Sequence, residues 1–494
     1  MSALLERIGL HGRQRPDAAA LADGRVTLSY RELVTEIGNL ADLIEAGRVG
    51  LLLDNGVPWA CLDLALRQRE AVCVPMPGFF STSQLSHLVR DAGLDLIVTD
   101  LPDRVAELLG SPAADSIEIA GRTVWLFRPA ASARAGMGGT GILPTGTSKI
   151  TYTSGTTGQP RGVCLSGAVI ESVAAELAEA VGAGPDDRAL SLLPLSTLLE
   201  NIGGLYAPLW VGACAQMPGL AECGMAGSSG LDPMRLYRAL LRFAPSTVIL
   251  VPQLLKVLVE GVVAGQPVPA SLRFVAVGGA PVAPDLLAHA RSLGIPAYQG
   301  YGLSEAASVV CLNRPGAERA GSVGKPLANV RVSVSADGEV MVGGRLFLGY
   351  LGGAAVNDEV WATGDLGYLD ADGCLYLTGR KKTAYATAFG RNVAPEWVES
   401  ELTGHPLIAQ AAVFGEGRPF NVAVLVPRSA VSAEVMAAAV RSVNERLPDY
   451  ARTPRWVVAE APFSSSNGLA SASGALNRAA VAAHYQQHIE RLYG

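Results

Sequence analysis

Ten consecutive residues, Thr153-Ser154-Gly155-Thr156-Thr157-Gly158-Gln159-Pro160-Arg161-Gly162, carry the densest chemical signal in the chain. Ile150-Thr151-Tyr152 before them is strand-like, and Ser166 after them can cap a helix running through Ile170, Val173 and Leu177. A strand, a Gly/Thr loop and a helix in that order would turn backbone N–H groups and hydroxyls toward a phosphate. The loop lacks the Gly-Lys-Ser/Thr ending of a P-loop. An ordinary turn is the alternative, and the density of Gly, Ser and Thr argues against it. Other candidate sites are weaker. Gly136-Met137-Gly138-Gly139-Thr140-Gly141 has the spacing of a dinucleotide fingerprint, but no strand precedes it and it reads as linker. His484 and His488 share a helix face without the Glu or third ligand of a zinc site, and no G-x-S-x-G elbow supports a hydrolase.

The elements that must position these residues follow from periodicity. Ser29-Tyr30-Arg31-Glu32 fits a capping box ahead of Leu33, Ile37, Leu40 and Ile44 at helical spacing. The buried-strand runs at 49–53 and 71–75 flank a helix carrying Trp59, Leu62 and Leu66, which predicts a parallel sheet covered on both faces. Residues 129–147, rich in Gly, Ala, Pro and Ser, read as a loop. Alternation resumes over 164–312, and hairpin signals at Asp337-Gly338, Gly343-Gly344 and Asp372-Gly373 predict an antiparallel region over 320–380. Mixed helix and strand follow, ending in an Ala-rich helix near 475–492.

The Gly/Thr segment resembles the phosphate loop of the adenylate-forming superfamily: acyl-CoA synthetases, nonribosomal-peptide adenylation domains and luciferases. Further segments resemble that family's motifs in order. Val277-Gly278-Gly279-Ala280-Pro281 matches its adenine-side loop. Gln299-Gly300-Tyr301-Gly302-Leu303-Ser304-Glu305 matches its Tyr-Gly-x-Thr-Glu segment, and Trp361-Ala362-Thr363-Gly364-Asp365 its ribose segment. Gly379-Arg380-Lys381-Lys382 and then Gly390-Arg391-Asn392-Val393-Ala394-Pro395 match its hinge and first lid loop. The resemblance implies an α/β fold. A large N-terminal domain, 1–381, would pack two α/β sheets and a small β-barrel-like region, and a mobile α+β lid, 383–494, would pivot at Lys382. It implies acyl-AMP formation from ATP and a carboxylate, then thioester formation with CoA.

The implied roles have physical sense. Tyr301 offers a flat face to adenine, Ser304 a hydroxyl to the α-phosphate, and Glu305 hard oxygens to Mg²⁺. Asp365 can accept from both ribose hydroxyls beside Arg380. Gly390 leaves room for the arm of CoA. Thr153, Ser154, Gly155, Thr156, Thr157, Gly158, Gly279, Ala280, Pro281 and Gly302 complete the expected AMP site. Thr197, Asn201, Val251 and Gln253, with Leu198 and Leu254 nearby, are the expected acyl pocket, suited to a bulky hydrophobic acid.

The sequence departs from the family at three places. Thr197 stands where an aromatic or His is frequent, widening the pocket mouth with Gly203-Gly204. Arg161 replaces a lysine, keeping charge but not shape. Most sharply, Ser473-Gly474-Ala475-Leu476-Asn477-Arg478 keeps the frame of Ser/Thr-Gly-Lys-x-x-Arg with alanine in the lysine position. The chain has lysine only at Lys149, Lys256, Lys325, Lys381 and Lys382, so none follows the hinge. Adenylation is therefore expected to be weak, with thioesterification of an acyl-AMP supplied by a separate adenylating enzyme retained. A complete ligase with an introduced Lys-to-Ala change, a carrier-protein-loading ligase, and a non-catalytic acyl-AMP or nucleotide sensor stay open.

Composition sets outer bounds. The 494 residues are 49% hydrophobic and 17% charged, too apolar for a disordered chain and long enough for two or three domains. Lys+Arg 39 against Asp+Glu 45 leaves a net charge of −6, which excludes a basic footprint for nucleic acid. Mean hydropathy is +0.28, yet the apolar stretches at 191–220 and 246–263 are broken by charged or polar residues well short of the ~18 a membrane span requires. Seven scattered cysteines and no signal-peptide pattern fit a cytoplasmic protein with free, packed thiols.

Overall fold

The computed structural model describes residues 2–130, 143–153, 160–226, 230–356, 359–389, 392–471 and 474–494. Two large sheets organise the first 350 residues. One has eight strands, with Thr147–Thr153, Val72–Pro75, Arg48–Leu52 and Leu96–Thr99 side by side and parallel at its centre. The hairpin Asp115–Ile119/Arg122–Phe127 adds antiparallel strands at one edge. The other has nine strands, among them Arg188–Leu190, Thr247–Leu250, Phe274–Val277 and Ala297–Leu303 in parallel succession. The predicted βαβ rhythm is present because central strands such as Val49–Leu52 are buried on both faces and helices must cover them.

Local signals act where they were read. Ser29 and Glu32 close a reciprocal capping box at Tyr30–Leu43. Trp59, Leu62 and Leu66 of Val57–Gln68 are fully buried between the sheets. The predicted hairpins build a four-stranded antiparallel sheet in the order Arg331–Val334, Glu339–Gly343, Val360–Leu369, Leu375–Arg380. It is open rather than closed, since its first and last strands do not pair. Beyond it, three strands, Ile408–Phe414, Val422–Pro427 and Arg455–Val458, carry the helices Pro395–Gly404 and Ala433–Arg446 around their own core of Val398, Leu402, Val413, Leu425 and Met436. The terminal helical stretch is two helices, Arg478–His484 and Gln486–Tyr493, broken at the buried Tyr485. All seven cysteines are free and six are buried. Among the described residues no helix is long and apolar enough to cross a membrane.

Candidate active site

Ser154, Gly155, Thr156, Thr157, Gly158 and Gly390, together with the Gly136–Gly141 run, lie outside the described residues. The frame around the phosphate-type loop corrects one expectation. Strand Thr147–Thr153 is followed by an antiparallel strand, Arg161–Ser166, and not by a helix. The helix Gly167–Ala180, capped by Ser166 as predicted, begins one strand later. Thr147–Thr153 and Arg161–Ser166 are thus antiparallel neighbours, and the nearest following helix starts after the second strand rather than at the Gly/Thr segment.

Tyr301, Asp365 and Arg380 come together from different strands. The Tyr301 hydroxyl donates to Asp365 Oδ2 at 2.6 Å, and Arg380 Nε meets Asp365 Oδ1 at 2.9 Å. Asp365 is 6% exposed. Burial, with the Asp365 carboxylate second, pushes the Tyr301 hydroxyl well up, so it stays a donor at all ordinary pH values. Arg380 and Asp365 are cross-strand partners on Leu375–Arg380 and Val360–Leu369, which is how the ribose-type motif and the hinge motif meet. Glu305 is the middle residue of a short 3₁₀ turn, Ser304–Ala306, at the end of Ala297–Leu303. Its Oε1 accepts from Tyr350 at 2.6 Å, and the Arg161 guanidinium stacks 3.7 Å from the Tyr350 ring centre. Arg161 is therefore tied to the Glu305 neighbourhood, a role that spacing alone did not reveal.

A cavity of about 290 Å³ runs beneath these residues. Its lining includes Gly279, Tyr301, Gly302 and Ser304 together with Thr197, Leu198, Gly204 and Phe274. Thr197 is among its lining residues. Asn201, Val251 and Gln253 do not line it. Asn201 instead joins a buried cluster: Asp63 Oδ1 meets Lys149 Nζ at 2.8 Å, and Asp63 Oδ2 accepts from Tyr206 at 2.5 Å and from Asn201 at 3.1 Å. Val251 caps the start of Pro252–Val263 against the core of its own sheet. Gln253 faces a second cleft with Pro281, Gly474 and Leu476. Ala280 is exposed beside Gly279.

Sequence reading missed Glu200. It is fully buried beside the cavity, its Oε2 accepts from Leu193 N–H at 3.3 Å, and the Ser191 side chain is a further hydrogen-bond partner. Desolvation pushes its pKa up to about 8. The signal available was an acidic residue amid an apolar run, next to the unusual Asn201–Tyr206 π-helix, a geometry frequent at functional sites. Because the folded pKa is raised, Glu200 contributes stability that is present below the unfolded carboxyl value and is lost as pH rises through about 8. Glu200→Gln should remove this slope, which is at most about 1.4 kcal/mol per pH unit for one proton. Denaturant titrations of both proteins from pH 5 to pH 9 check it: parallel curves would show that Glu200 titrates alike folded and unfolded.

Lys381 is anchored to Asp337 and Glu339, each at 2.7 Å, whereas Lys382 stands exposed in the next turn position. A Cβ on Gly379 would lie 1.9 Å from the Ala394 Cβ, so strand and lid meet here with no room for a side chain. Arg478 is committed, holding Glu399 through both carboxylate oxygens at 2.5 and 2.9 Å. Ala475 sits exposed in a tight turn closed by the Ala470–Leu476 bridge.

A family model described as AMP-binding enzyme matches residues 10–351, and one described as AMP-binding enzyme C-terminal domain matches residues 385–494. The chain belongs to this family of AMP-binding, adenylate-forming enzymes. Among its relatives, the long-chain-fatty-acid–CoA ligase FadD15 of Mycobacterium bovis is 28% identical over 460 residues, 77% of this chain and 73% of that one. The 2-succinylbenzoate–CoA ligase of Bacillus cytotoxicus is 28% identical over 473 residues, 89% and 91% of the two chains. In fold it matches the anthranilate CoA ligase AuaEII solved with anthranoyl-AMP, with a TM-score of 0.80 at 18% identity over 98% and 97% of the chains. Kinship of this breadth makes it an enzyme of the acyl-CoA ligase type.

Proposed function

We propose that this chain converts a bulky, largely apolar carboxylic acid to its CoA thioester through an acyl-AMP, and that it performs the thioester step far better than the adenylation step. One observation carries the reading of the site: one cavity is lined both by Gly279, Tyr301 and Ser304 and by Thr197, Leu198 and Phe274. A nucleotide and an acyl group could share that space with the mixed anhydride at Ser304. In this reading Asp365 takes the ribose hydroxyls, displacing the Tyr301 contact, and Arg380 holds Asp365 oriented. Gly302, with Gly279, Ala280 and Pro281, borders the base.

The residues present fit Mg²⁺, because Glu305 keeps a carboxylate oxygen without a hydrogen bond among the described residues. Bound there, the ion would neutralise triphosphate charge during adenylation. Thr153 and the following residues through Gly158 would hold the phosphates, and Gly390 would line the thiol path. The boundary we favour places 1–381 and 383–494 on either side of Lys382, since Lys381 is still ion-paired to Asp337 and Glu339 while Lys382 stands exposed. A separate enzyme would supply the adenylate.

Asp365→Ala should weaken acyl-AMP binding by about 2–3 kcal/mol, the range for hydrogen bonds to a charged group. Calorimetry checks it, and an unchanged affinity removes Asp365 from the site. The decisive functional assay supplies synthetic acyl-AMP with either CoA or a carrier protein. CoA thioester formation is the expected result; exclusive carrier loading would change the acceptor, and no transfer to either would leave a binding protein.

A further inference from the structure

The cavity follows one face of the nine-stranded sheet. Alternate residues of a strand share a face, and Phe274, Ala276 and Gly278 all border the cavity. Gly278 continues the strand, its N–H bonded to the Leu250 carbonyl at 3.1 Å. Ile249 pairs with Ala276 on one side and Tyr298 on the other, so both stand on the same face. Gly300, two residues beyond Tyr298, borders the cavity as well. Side-chain size changes sharply along this face. Gly278, Gly300 and Ala276 present nothing larger than a methyl group. The next residue of the face is Phe274, whose ring stacks on Tyr298 at 4.6 Å and 12°. Arg291 lies over the far side of Tyr298 at 5.5 Å, so the Phe274 ring is backed by a fixed stack.

Ala276 is thus the low floor of a groove between Ile249 and Tyr298. These two sit on the strands either side of it, about 9.6 Å apart at backbone level. Ile249 also closes the gap to the π-helix, since a Cβ on Gly203 would fall 2.6 Å from its Cδ1. With both side chains in place, the groove has the width of one hydrocarbon chain. Opposite, Leu177 and Val181 border the cavity one helical turn apart. The Val181 carbonyl accepts from Arg273 Nη1 at 2.7 Å, which pins that helix end to the strand level of Phe274. Leu177, Val181, Ile249, Ala276 and Phe274 bring no polar side-chain atom, so a methylene placed among them is buried against hydrocarbon. Four residues of strand separate Gly278 from Phe274, about 13 Å. An extended chain advances ~1.1–1.2 Å per bond, which gives room for roughly ten carbons. We infer that the acyl group is an unbranched chain of roughly that length, and that Phe274 is the specificity-determining residue that sets where it ends. The inference rests on the acyl-AMP reading of the cavity and narrows it to one substrate class.

The test measures binding of stable acyl-sulfamoyl adenosines to the full chain by calorimetry. The acyl groups are butanoyl, hexanoyl, octanoyl, decanoyl, dodecanoyl and hexadecanoyl, with benzoyl as a compact comparison. Affinity should rise by up to about fourfold per added methylene as far as decanoyl, then level off or fall. Benzoyl should bind at least about tenfold more weakly than decanoyl, because it leaves most of the groove unfilled. Phe274→Ala should move the break to dodecanoyl or beyond. Ala276→Leu, which raises the groove floor, should move it to hexanoyl or shorter. Both variants should keep the parent affinity for AMP, which separates a changed groove from a damaged fold. Phe274→Ala removes a buried ring; should it fail to fold, the parent series and Ala276→Leu decide. Affinity that climbs through hexadecanoyl without a break, a break that stays in place in Ala276→Leu, or benzoyl bound as tightly as decanoyl overturns the inference and leaves the acyl-AMP site standing. Binding of no probe overturns both.

Discussion

Ala475→Lys is expected to raise pyrophosphate release from ATP and acid by ~10²–10⁵-fold, the range for restoring one preorganised charge at a phosphoryl-transfer centre. The structure sharpens the reason. Gly474 and Leu476 line a cleft shared with Pro281 and Gln253, so the turn bearing Ala475 faces the adenine-side loop. The turn is held by Ser471 N–H to the Ala475 carbonyl at 2.7 Å and Ala475 N–H to Ser471 Oγ at 3.1 Å. A lysine there would extend from a fixed backbone. Among the described residues lining this cleft or following in the same segment, no free cation takes its place. Arg478 is occupied by Glu399, and Lys256, which lines the same cleft, donates to the Thr403 carbonyl at 2.9 Å. Burial, with Arg428 nearby, pushes the Lys256 pKa down to about 8. Thioester formation from supplied acyl-AMP should be similar in both proteins. Pyrophosphate release at a few turnovers per second by the unmodified chain would refute the half-reaction proposal. The sequence of the gene at codon 475 separates a native alanine from an introduced one.

Lys149→Met should cost about 3–5 kcal/mol of stability, the penalty for leaving a buried carboxylate unpaired. Asp63 is 1% exposed, and burial alone would raise its pKa; the Lys149 ammonium outweighs that and holds it low. Lys149 also lies over the rings of Trp59 and Tyr206. The double variant Lys149→Met/Asp63→Leu should recover most of the loss, because an apolar pair of similar volume carries no desolvation cost. Denaturant midpoints of the three proteins decide it; equal midpoints for parent and single variant would mean that the cluster contributes nothing net. Since Asn201 and Tyr206 bind Asp63, the single variant should also loosen the acyl wall and weaken acyl-AMP binding while leaving AMP binding nearly unchanged.

What the sequence determined by itself was local or ordered along the chain. The capping box at Ser29, the buried strands at 49–52 and 72–75, and the hairpins after 330 follow from short-range hydrogen bonding and from hydrophobic period, which a linear reading can count. The family motifs were legible because their residues keep a fixed spacing along the chain, and Ala475 stood out inside such a frame for the same reason. Tertiary structure alone decided which way side chains turn. Asn201, read as a pocket residue, is directed into a salt-bridged core by one π-helical turn, and Glu200 before it lies beside the cavity instead. A single extra residue in a helical turn rotates every following side chain, and no composition rule registers it. Arg161 on Tyr350, Tyr301 on Asp365 and Gln253 in the outer cleft likewise join residues tens to hundreds of positions apart, where packing and not spacing sets the partner.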